Sequence, residues 1–284
     1  MILIADGGST TCSWALLAGG PPQYFNTEGY NPYFWDTPGI AASLVRSVPV
    51  DVHQAPIRAI HYYGSGVLSP VKAEVVAGAL RQVWPQAGEV SVAEDLLAAA
   101  RALLGREAGF AAILGTGTNS CLYDGQRITQ VIESLGYSLG DEGSGTSIGR
   151  QVLRDYLRGR MPAALAAKLK ADYQLGEVSE VLDRLYNHAL PNRFLAGFAR
   201  FAGEHSHEPY CQEIVTRSFE ALFEQIVTHY PDYQRHAFNC VGSVGYYFRD
   251  ALAAVAQRHG MAVGQMLREP IEALVRYHEV AARP

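Results

Sequence analysis

Short apolar runs alternate with glycine-rich turns in the first third of the chain. Ile2 to Ala5 predicts a buried strand, and the run that begins near Cys12 predicts an antiparallel return strand. The pattern then predicts a strand at 24–29, a helix at 38–48, a strand at 57–63, a helix at 70–84, a strand at 89–93 and a helix ending at 104.

The same order of elements begins again near residue 109. Apolar runs predict strands at 110–114, 121–123 and 128–132, with a Gly/Thr turn after the first and an Asp-Gly turn before the last. No residue-by-residue repeat is visible, so the architecture is what repeats. We therefore expect two related α/β domains, at residues 1–107 and 108–284.

Strand patterns are replaced by helical spacing after residue 146. Apolar positions predict helices at 152–157, 178–185, 194–201 and 214–227. A strand at 237–241, a helix ending at 259, a short strand at 263–267 and a helix at 270–282 complete the pattern. We expect a helical insertion at 146–233 in the second domain, and the final helix is a candidate to pack back on the first domain.

Composition narrows the class of protein. The chain of 284 residues is 48% hydrophobic and 18% charged, which is typical of a soluble globular protein with room for two modest domains. A net charge of −5 without a basic cluster gives no reason to expect nucleic acid or an anionic membrane as a partner. Met1 leads directly into the first strand, and no apolar stretch reaches membrane-span length, so we expect a cytoplasmic protein.

The four cysteines are far apart in the sequence and fit no metal-binding or redox spacing. We expect reduced, mostly buried thiols. The nine histidines are scattered and form no convincing ligand pair.

The first candidate site is the turn after the opening strand. Glycines at 7 and 8 have no Cβ, so the backbone N–H groups and the hydroxyls of Ser9, Thr10 and Thr11 could bind a phosphate. Asp6 beside such a turn could hold a hydrated Mg²⁺. An ordinary hairpin turn is the alternative, because Asp-Gly is a strong hairpin signal.

A second turn, Gly115–Thr118, has the same chemistry, and the two turns together could bind one nucleotide. Two unrelated hairpins are the alternative. Gly140–Gly145 places two acids between glycines before a helix, which suits a substrate or Mg²⁺ contact or a loop capped by Ser144 or Thr146. Gly242–Gly245 lies between a strand and a helix, where a ligand or a tight turn would fit.

Asp95 lies where a strand ends and a helix begins. It could cap the helix, act as a general base on an attacking hydroxyl, or do both. Asn31 and the segment Gly64–Gly66 offer amide, hydroxyl and backbone groups that suit a hydroxyl-rich ligand such as a sugar. The aromatic residues at 33–35 are equally consistent with packing under a loop.

These motifs, in this order, resemble the superfamily of sugar kinases, heat-shock ATPases and actin. Within it, Gly115–Ser120 followed by Gly140–Ser144 is similar to the N-acetylglucosamine kinase family, which is grouped with the BadF/BadG/BcrA/BcrD ATPases. The resemblance covers essentially the whole chain. It implies an α/β fold of two ribonuclease-H-like (actin-like ATPase) domains around a nucleotide cleft.

The resemblance also implies roles for individual residues. Asp95 corresponds to the catalytic aspartate and Asp6 to the acid associated with Mg²⁺. The nucleotide-binding positions are Gly7, Gly8, Ser9, Thr10, Thr11, Gly115, Thr116, Gly117, Thr118, Gly242 and Ser243. The amino-sugar positions are Asn31, Gly64, Ser65, Gly66, Asn119 and Asp141.

The implied activity is ATP-dependent phosphorylation of an amino sugar at O6, with ATP and Mg²⁺ as cofactors. A homodimer is the expected assembly, because the helical region after Thr146 could supply a dimer face. The mammalian kinases carry a longer C-terminal segment and a tryptophan shortly before the Gly-Asp-Glu-Gly motif. This chain has Ser134–Tyr137 there, which leaves the sugar open between N-acetylglucosamine, N-acetylmuramate, glucosamine and others. An ATP-driven dehydratase activator with an iron–sulfur cluster and a non-catalytic sensor are the rival hypotheses.

Overall fold

The computed structural model describes residues 1–8 and 10–281. The chain divides into two compact units. The first unit contains Met1–Glu107 and the chain from Glu269 onward, and the second contains Ala108–Arg268. Each unit is built around its own sheet.

The first unit starts with three antiparallel strands and continues with two parallel ones. Its elements up to residue 107 are β1 (Ile2–Gly7), β2 (Thr11–Leu17), β3 (Gln23–Glu28), α1 (Thr37–Ser47), α2 (Val50–His53), β4 (Ala59–Gly64), α3 (Pro70–Val83), β5 (Glu89–Glu94) and α4 (Asp95–Leu104). The strand order is β3-β2-β1-β4-β5, with β4 and β5 parallel to β1.

Large aromatic side chains fill the core on one face of this sheet. Trp14 is fully buried and lies close to Phe25, Tyr62 and Trp84. The Trp14 indole N–H donates to Thr27 Oγ1 at 2.9 Å, so burying this large side chain leaves its polar atom satisfied.

Two capped helices frame the loops that follow the strands. Asp36 accepts a hydrogen bond from the N–H of Gly39 at the start of α1, and Ser69 accepts one from Lys72 at the start of α3. Both helices have proline in the first turn, where its missing N–H costs nothing. These caps determine where the loops at 29–36 and 65–69 end.

The second unit contains a second sheet and a large group of helices. Its elements are β6 (Gly109–Leu114), β7 (Thr118–Tyr123), β8 (Ile128–Val131), α5 (Gly136–Leu139), α6 (Gly145–Leu157), α7 (Ala163–Asp172), α8 (Val178–Asn187), α9 (Pro191–Gly197), α10 (Ala199–Glu204), α11 (Pro209–Gln225), two 3₁₀ turns (Val227–His229 and Tyr233–Arg235), β9 (Phe238–Val241), α12 (Ser243–Tyr247), α13 (Arg249–Arg258) and β10 (Val263–Leu267).

The second sheet repeats the topology of the first. Its order is β8-β7-β6-β9-β10, with β6, β7 and β8 antiparallel in sequence and β9 and β10 parallel to β6. The repeated architecture inferred from the apolar pattern is therefore confirmed, and both sheets have the ribonuclease-H-like arrangement.

The last helix, α14 (Ile271–Ala281), belongs to the first unit and packs on α4, β1 and β2. On this face, the rings of His61 and His278 stack at 4.1 Å, and His278 Nε2 lies 2.9 Å from Tyr63 Oη. Arg101 also donates to Tyr63 Oη, at 2.6 Å. These polar and aromatic contacts therefore hold α14 against β4 and α4.

Several local details differ from the pattern-based expectation. Helix α7 was not predicted, because its alanine-rich sequence has little amphipathic contrast. Thr118 and Asn119 lie in β7 rather than in a turn. All four cysteines are buried and free, as expected. Among the described residues, no helix has the length and apolar character needed to span a bilayer.

Candidate functional site

Asp6 and Asp95 lie at the carboxyl ends of β1 and β5, the two strands that flank β4 in the first unit. Asp6 is the penultimate residue of β1, and Asp95 follows β5 directly as the first residue of α4. The N-cap of α4 is Glu94, so the alternative in which Asp95 caps this helix was wrong. A carboxylate in the first helical turn is still favoured by the helix dipole.

Both carboxyl groups are harder to ionise than ordinary aspartates. Burial, followed by the negative charges of Asp95 and Glu269, raises the pKa of Asp6 to about 7. Burial also raises the pKa of Asp95, although the backbone N–H of Leu96 opposes this change. Asp6 and Asp95 therefore interact electrostatically in a poorly solvated environment, which is typical of functional carboxylates.

Backbone hydrogen bonds fix the turn after β1. Gly8 N–H donates to the Thr11 carbonyl at 3.0 Å, and Gly29 N–H donates to the Thr10 carbonyl at 2.9 Å. The side chains of Thr10 and Thr11 are exposed. Ser9, also expected to bind nucleotide, lies outside the described residues.

The Tyr62 ring leaves no room for a Cβ at two of the candidate glycines, so no ligand is needed to explain why these positions are glycine. A Cβ on Gly7 would lie 2.4 Å from Tyr62 Oη, and one on Gly64 would lie 2.5 Å from Tyr62 Cε1. Gly7 and Gly64 are register partners on β1 and β4, so one buried tyrosine ring covers both. This packing requirement was missed, because nothing in the sequence indicates that Tyr62 turns toward these glycines.

The candidate sugar residues of the first unit lie together. Gly66 has a φ of +80°, and a Cβ there would lie 2.4 Å from Asn31 Oδ1. Asn31 Oδ1 accepts from the N–H of Tyr33 at 3.0 Å, so the amide nitrogen is the group left for a ligand. Ser65 N–H donates to the Gly7 carbonyl at 2.8 Å. Among the described residues, Ser65 Oγ has no hydrogen-bond partner although it is buried.

The loop Gly115–Thr118 of the second unit is braced by the loop before α6. Thr118 N–H donates to Asp141 Oδ1 at 3.1 Å, and Thr118 Oγ1 donates to the Glu142 carbonyl at 2.6 Å. Gly145 N–H donates to the Gly115 carbonyl at 2.8 Å. Ser144 caps α6, which settles the choice left open between Ser144 and Thr146. Asp141 therefore contacts the candidate phosphate loop directly.

Gly242 brings a third segment to the same place. Its φ is +124°, and a Cβ there would lie 2.4 Å from the Leu114 carbonyl oxygen, so only glycine fits. Ser243 begins α12 and lines a cavity of about 540 Å³. The walls of this cavity include Ala196, Arg200, Glu204, Val244, Tyr247 and Phe248. Apart from Ser243 and Val244 in the Gly242–Gly245 motif, the wall residues carry no sequence motif, so the cavity was not predicted.

Asn119 lies in β7, and its side chain makes a local hydrogen bond. Its Oδ1 accepts from the N–H of Ser120 at 3.0 Å, and Asn119 pairs with Ile113 in the β6–β7 register. Its expected role as a sugar contact stays a prediction.

No protein-family model matches the chain, and no curated protein sequence matches it. Solved structures do match over nearly the full length. The duplicated ribonuclease-H-like topology and the glycine loops that follow β1 and β6 define the class as sugar kinases with the actin-like ATPase fold.

A candidate N-acetylglucosamine kinase from Porphyromonas gingivalis is 37% identical, with 99% of each chain covered and a TM-score of 0.93. The chain belongs to the N-acetylglucosamine kinase family of ATP-dependent sugar kinases.

More distant structures share the fold. A candidate N-acetylglucosamine kinase from Chromobacterium violaceum is 20% identical, with 97% of this chain and 98% of that chain covered and a TM-score of 0.72. A ROK family glucokinase from Streptomyces griseus, solved with glucose and AMPPNP, is 15% identical, with 98% of this chain and 98% of that chain covered and a TM-score of 0.58.

Proposed function

We propose that this kinase transfers the γ-phosphoryl group of ATP to O6 of an amino sugar of the N-acetylglucosamine type. The observation that carries the proposal is the electrostatic coupling of Asp6 and Asp95 in the unit that also holds Asn31, Ser65 and Gly66 together. One carboxylate is then available for the metal and the other for the sugar hydroxyl.

Asp95 acts as the general base in this proposal. Its raised pKa makes it a better proton acceptor than an ordinary aspartate, and its position after β5 places it at the edge of the sheet where ligands of α/β domains bind. Asp95 accepts the proton of the sugar hydroxyl as that oxygen attacks the γ-phosphorus. The bond from the γ-phosphorus to the bridging oxygen breaks, and ADP leaves.

The second unit binds the nucleotide. The 540 Å³ cavity beside Ser243 is large enough for a purine base, and its apolar walls suit an aromatic ring. Gly115 N–H donates to the Gly117 carbonyl and Thr118 N–H to Asp141, so the N–H groups of Thr116 and Gly117 are the donors proposed for phosphate.

The donor set around Asp6 fits a Mg²⁺ ion. The negative charges of Asp95 and Glu269 both raise the pKa of Asp6, so a cation beside Asp6 would favour its ionised form. Among the described residues, no cluster of three ligand side chains could form an all-protein metal cage. Mg²⁺ in kinases is commonly held by one or two carboxylates and the phosphates, and there it offsets phosphate charge.

The unpartnered hydroxyl of Ser65 supports a hydroxyl-rich ligand at the edge of β4. A buried hydroxyl without a partner costs free energy that a sugar hydroxyl would recover. Asn31 offers its amide N–H groups beside it. These groups would orient the sugar, and orientation supplies much of the rate enhancement in phosphoryl transfer.

A coupled ADP-release assay with Mg-ATP and a panel of amino sugars and neutral hexoses tests the proposal. We expect sugar-dependent ADP release that is highest for an N-acetylated amino sugar, with the product phosphorylated at O6 by NMR. Release that prefers unsubstituted hexoses, or phosphorylation at another oxygen, would contradict it.

Two rival activities predict different results. A dehydratase activator needs cysteines that bridge an iron–sulfur cluster, and the four cysteines here are buried. An iron-free preparation with full sugar-dependent turnover would exclude this activity. A non-catalytic sensor would bind sugar and nucleotide without releasing ADP.

A further inference from the structure

Large apolar side chains are exposed next to the candidate sugar contacts of the first unit. We call this group the apolar rim, and its members with their exposed fractions are Tyr33 (58%), Phe34 (80%), Leu68 (66%) and Val71 (74%). Isolated exposed apolar residues are common, but a cluster beside a proposed ligand site indicates binding.

The two segments that carry the apolar rim begin at the sugar contacts themselves. Phe34 N–H donates to the Asn31 carbonyl at 2.9 Å, which keeps Phe34 within one turn of Asn31. Leu68 follows two residues after Gly66, the glycine that faces Asn31 Oδ1. A group attached to a sugar bound at Asn31 and Gly66 would therefore reach the apolar rim.

Lys72 adds a positive charge to this surface. Its Nζ donates to the Pro32 carbonyl at 2.8 Å and lies 4.2 Å from the centroid of the Tyr33 ring. An ammonium has three N–H donors, so the contact with Pro32 leaves two for other acceptors. Within the part of the chain that the structure describes, Lys72 forms no ion pair. Its charge is thus available to an anionic ligand.

The combination of apolar side chains and one ammonium is complementary to a short carbon chain that ends in a carboxylate. We propose that the apolar rim and Lys72 bind an acidic substituent of the sugar, so that carboxylate-bearing amino sugars are the preferred substrates. The inference rests on the proposed kinase function and specifies its substrate class. Lys72 and Phe34 then determine substrate specificity, while Asp95 performs the same proton transfer for every sugar.

The test compares N-acetylglucosamine with N-acetylmuramate, which differ only in a lactyl ether at O3. We expect wild-type kcat/KM to be higher for N-acetylmuramate. Lys72→Met keeps the aliphatic stem and removes the charge, so it should lower kcat/KM for N-acetylmuramate at least about tenfold, as for loss of a charge-assisted hydrogen bond. The value for N-acetylglucosamine should stay within about twofold.

Two further variants complete the design. Phe34→Ser should also reduce selectivity, and it tests the apolar rim if Lys72→Met fails to fold. Lys170→Met removes the same charge from α7 and should leave both sugars unaffected. Equal losses for both sugars, no loss for either, or failure of the wild type to prefer N-acetylmuramate would overturn the inference.

Binding separates the inference from the proposed function. If the wild type phosphorylates neither sugar, the kinase proposal fails, but calorimetry still reports which sugar binds. Tighter binding of N-acetylmuramate that is lost in Lys72→Met would sustain the inference without turnover. A dimer that Phe34→Ser dissociates, with sugar selectivity unchanged, would instead assign the apolar rim to a second copy of the chain.

Discussion

The backbone N–H of Thr118 donates a hydrogen bond to Asp141 Oδ1 across 3.1 Å. The Asp141 side chain is buried, and a Cβ on Gly117 would lie 3.1 Å from its Oδ2. The carboxylate therefore lies directly against the loop proposed to bind phosphate. This relationship suggests that Asp141 acts by shaping that loop, in addition to its expected role as a sugar contact.

Replacing Asp141 distinguishes these two roles. Asp141→Ala removes the acceptor for Thr118 N–H and also places alanine at a φ of 58°, so we expect the KM for ATP to rise about tenfold. Asp141→Asn keeps an oxygen acceptor and tolerates this backbone conformation, so its effect should be smaller. A rise confined to the KM for the sugar would show that Asp141 serves the sugar and not the loop.

Asp95→Asn should reduce kcat by a factor of about 10² to 10⁴, because proton transfer to a positioned base is lost. ATP binding and the unfolding midpoint should be close to those of the wild type. Glu89→Gln, at the exposed start of β5, the strand that precedes Asp95, is the control. Steady-state kinetics and calorimetry measure these effects. Near-normal turnover of Asp95→Asn would show that Asp95 is not the general base.

Asp6→Asn should stabilise the ligand-free protein above pH 7. The folded-state pKa of Asp6 is raised from 3.8 to about 7, so the native state binds more protons than the unfolded state between these values. Ionised Asp6 therefore destabilises the fold as pH rises through this range, by an amount on the order of a few kcal/mol. The stability gain of Asp6→Asn should be present at pH 8 and vanish by pH 4.

Urea unfolding at these two pH values, with and without Mg²⁺, measures the effect of Asp6→Asn. Mg²⁺ should stabilise the wild type and have little effect on the variant, which should also lose activity. Asp250→Asn, at a fully exposed carboxylate, is the control. An Asp6→Asn variant that is less stable at pH 8 would show that Asp6 has a structural partner.

Protonation of His278 should lower the free energy of unfolding in acid. Burial, with His61 and Arg101, lowers the pKa of His278 from 6.5 to about 3, so the folded state binds fewer protons than the unfolded state in this range. Its contribution is complete above pH 6.5 and is lost as pH falls toward 3. Chemical unfolding from pH 7 to pH 4 should show a shallower dependence in His278→Gln.

The control for His278 is His207→Gln, at an exposed histidine. It should leave the pH dependence unchanged. The same slope in His278→Gln and the wild type would mean that protonation of His278 is not linked to unfolding.

The strands and the order of the motifs could be predicted because most strands of the first half are apolar or alternating segments between turn residues. The duplicated domain architecture could be predicted because this order of strands and turns occurs twice in the sequence. Helix α7 could not be predicted, because its alanine-rich sequence shows little amphipathic contrast although Leu165 and Leu169 are buried in the core of the second unit.

The glycines and acids of the candidate site could be predicted from the sequence. The side chains that pack around them could not. Gly7, Asp95 and Gly242 stand in recognisable motifs, whereas Tyr62 and Tyr247 do not. The role of a supporting side chain depends on which strand or helix it meets in space, and sequence spacing does not contain that information. The alternative in which Asp95 is the N-cap was wrong by one residue, because sequence patterns do not fix the exact residue at which a helix begins.

Helix α14 has a consequence for how the chain acquires its structure during synthesis. The first unit receives this helix only after the whole of Ala108–Arg268 has left the ribosome. Until then, the α4 and β1 surface that α14 covers is open to water. The surface of the first unit is therefore completed by a segment that is translated after the second unit.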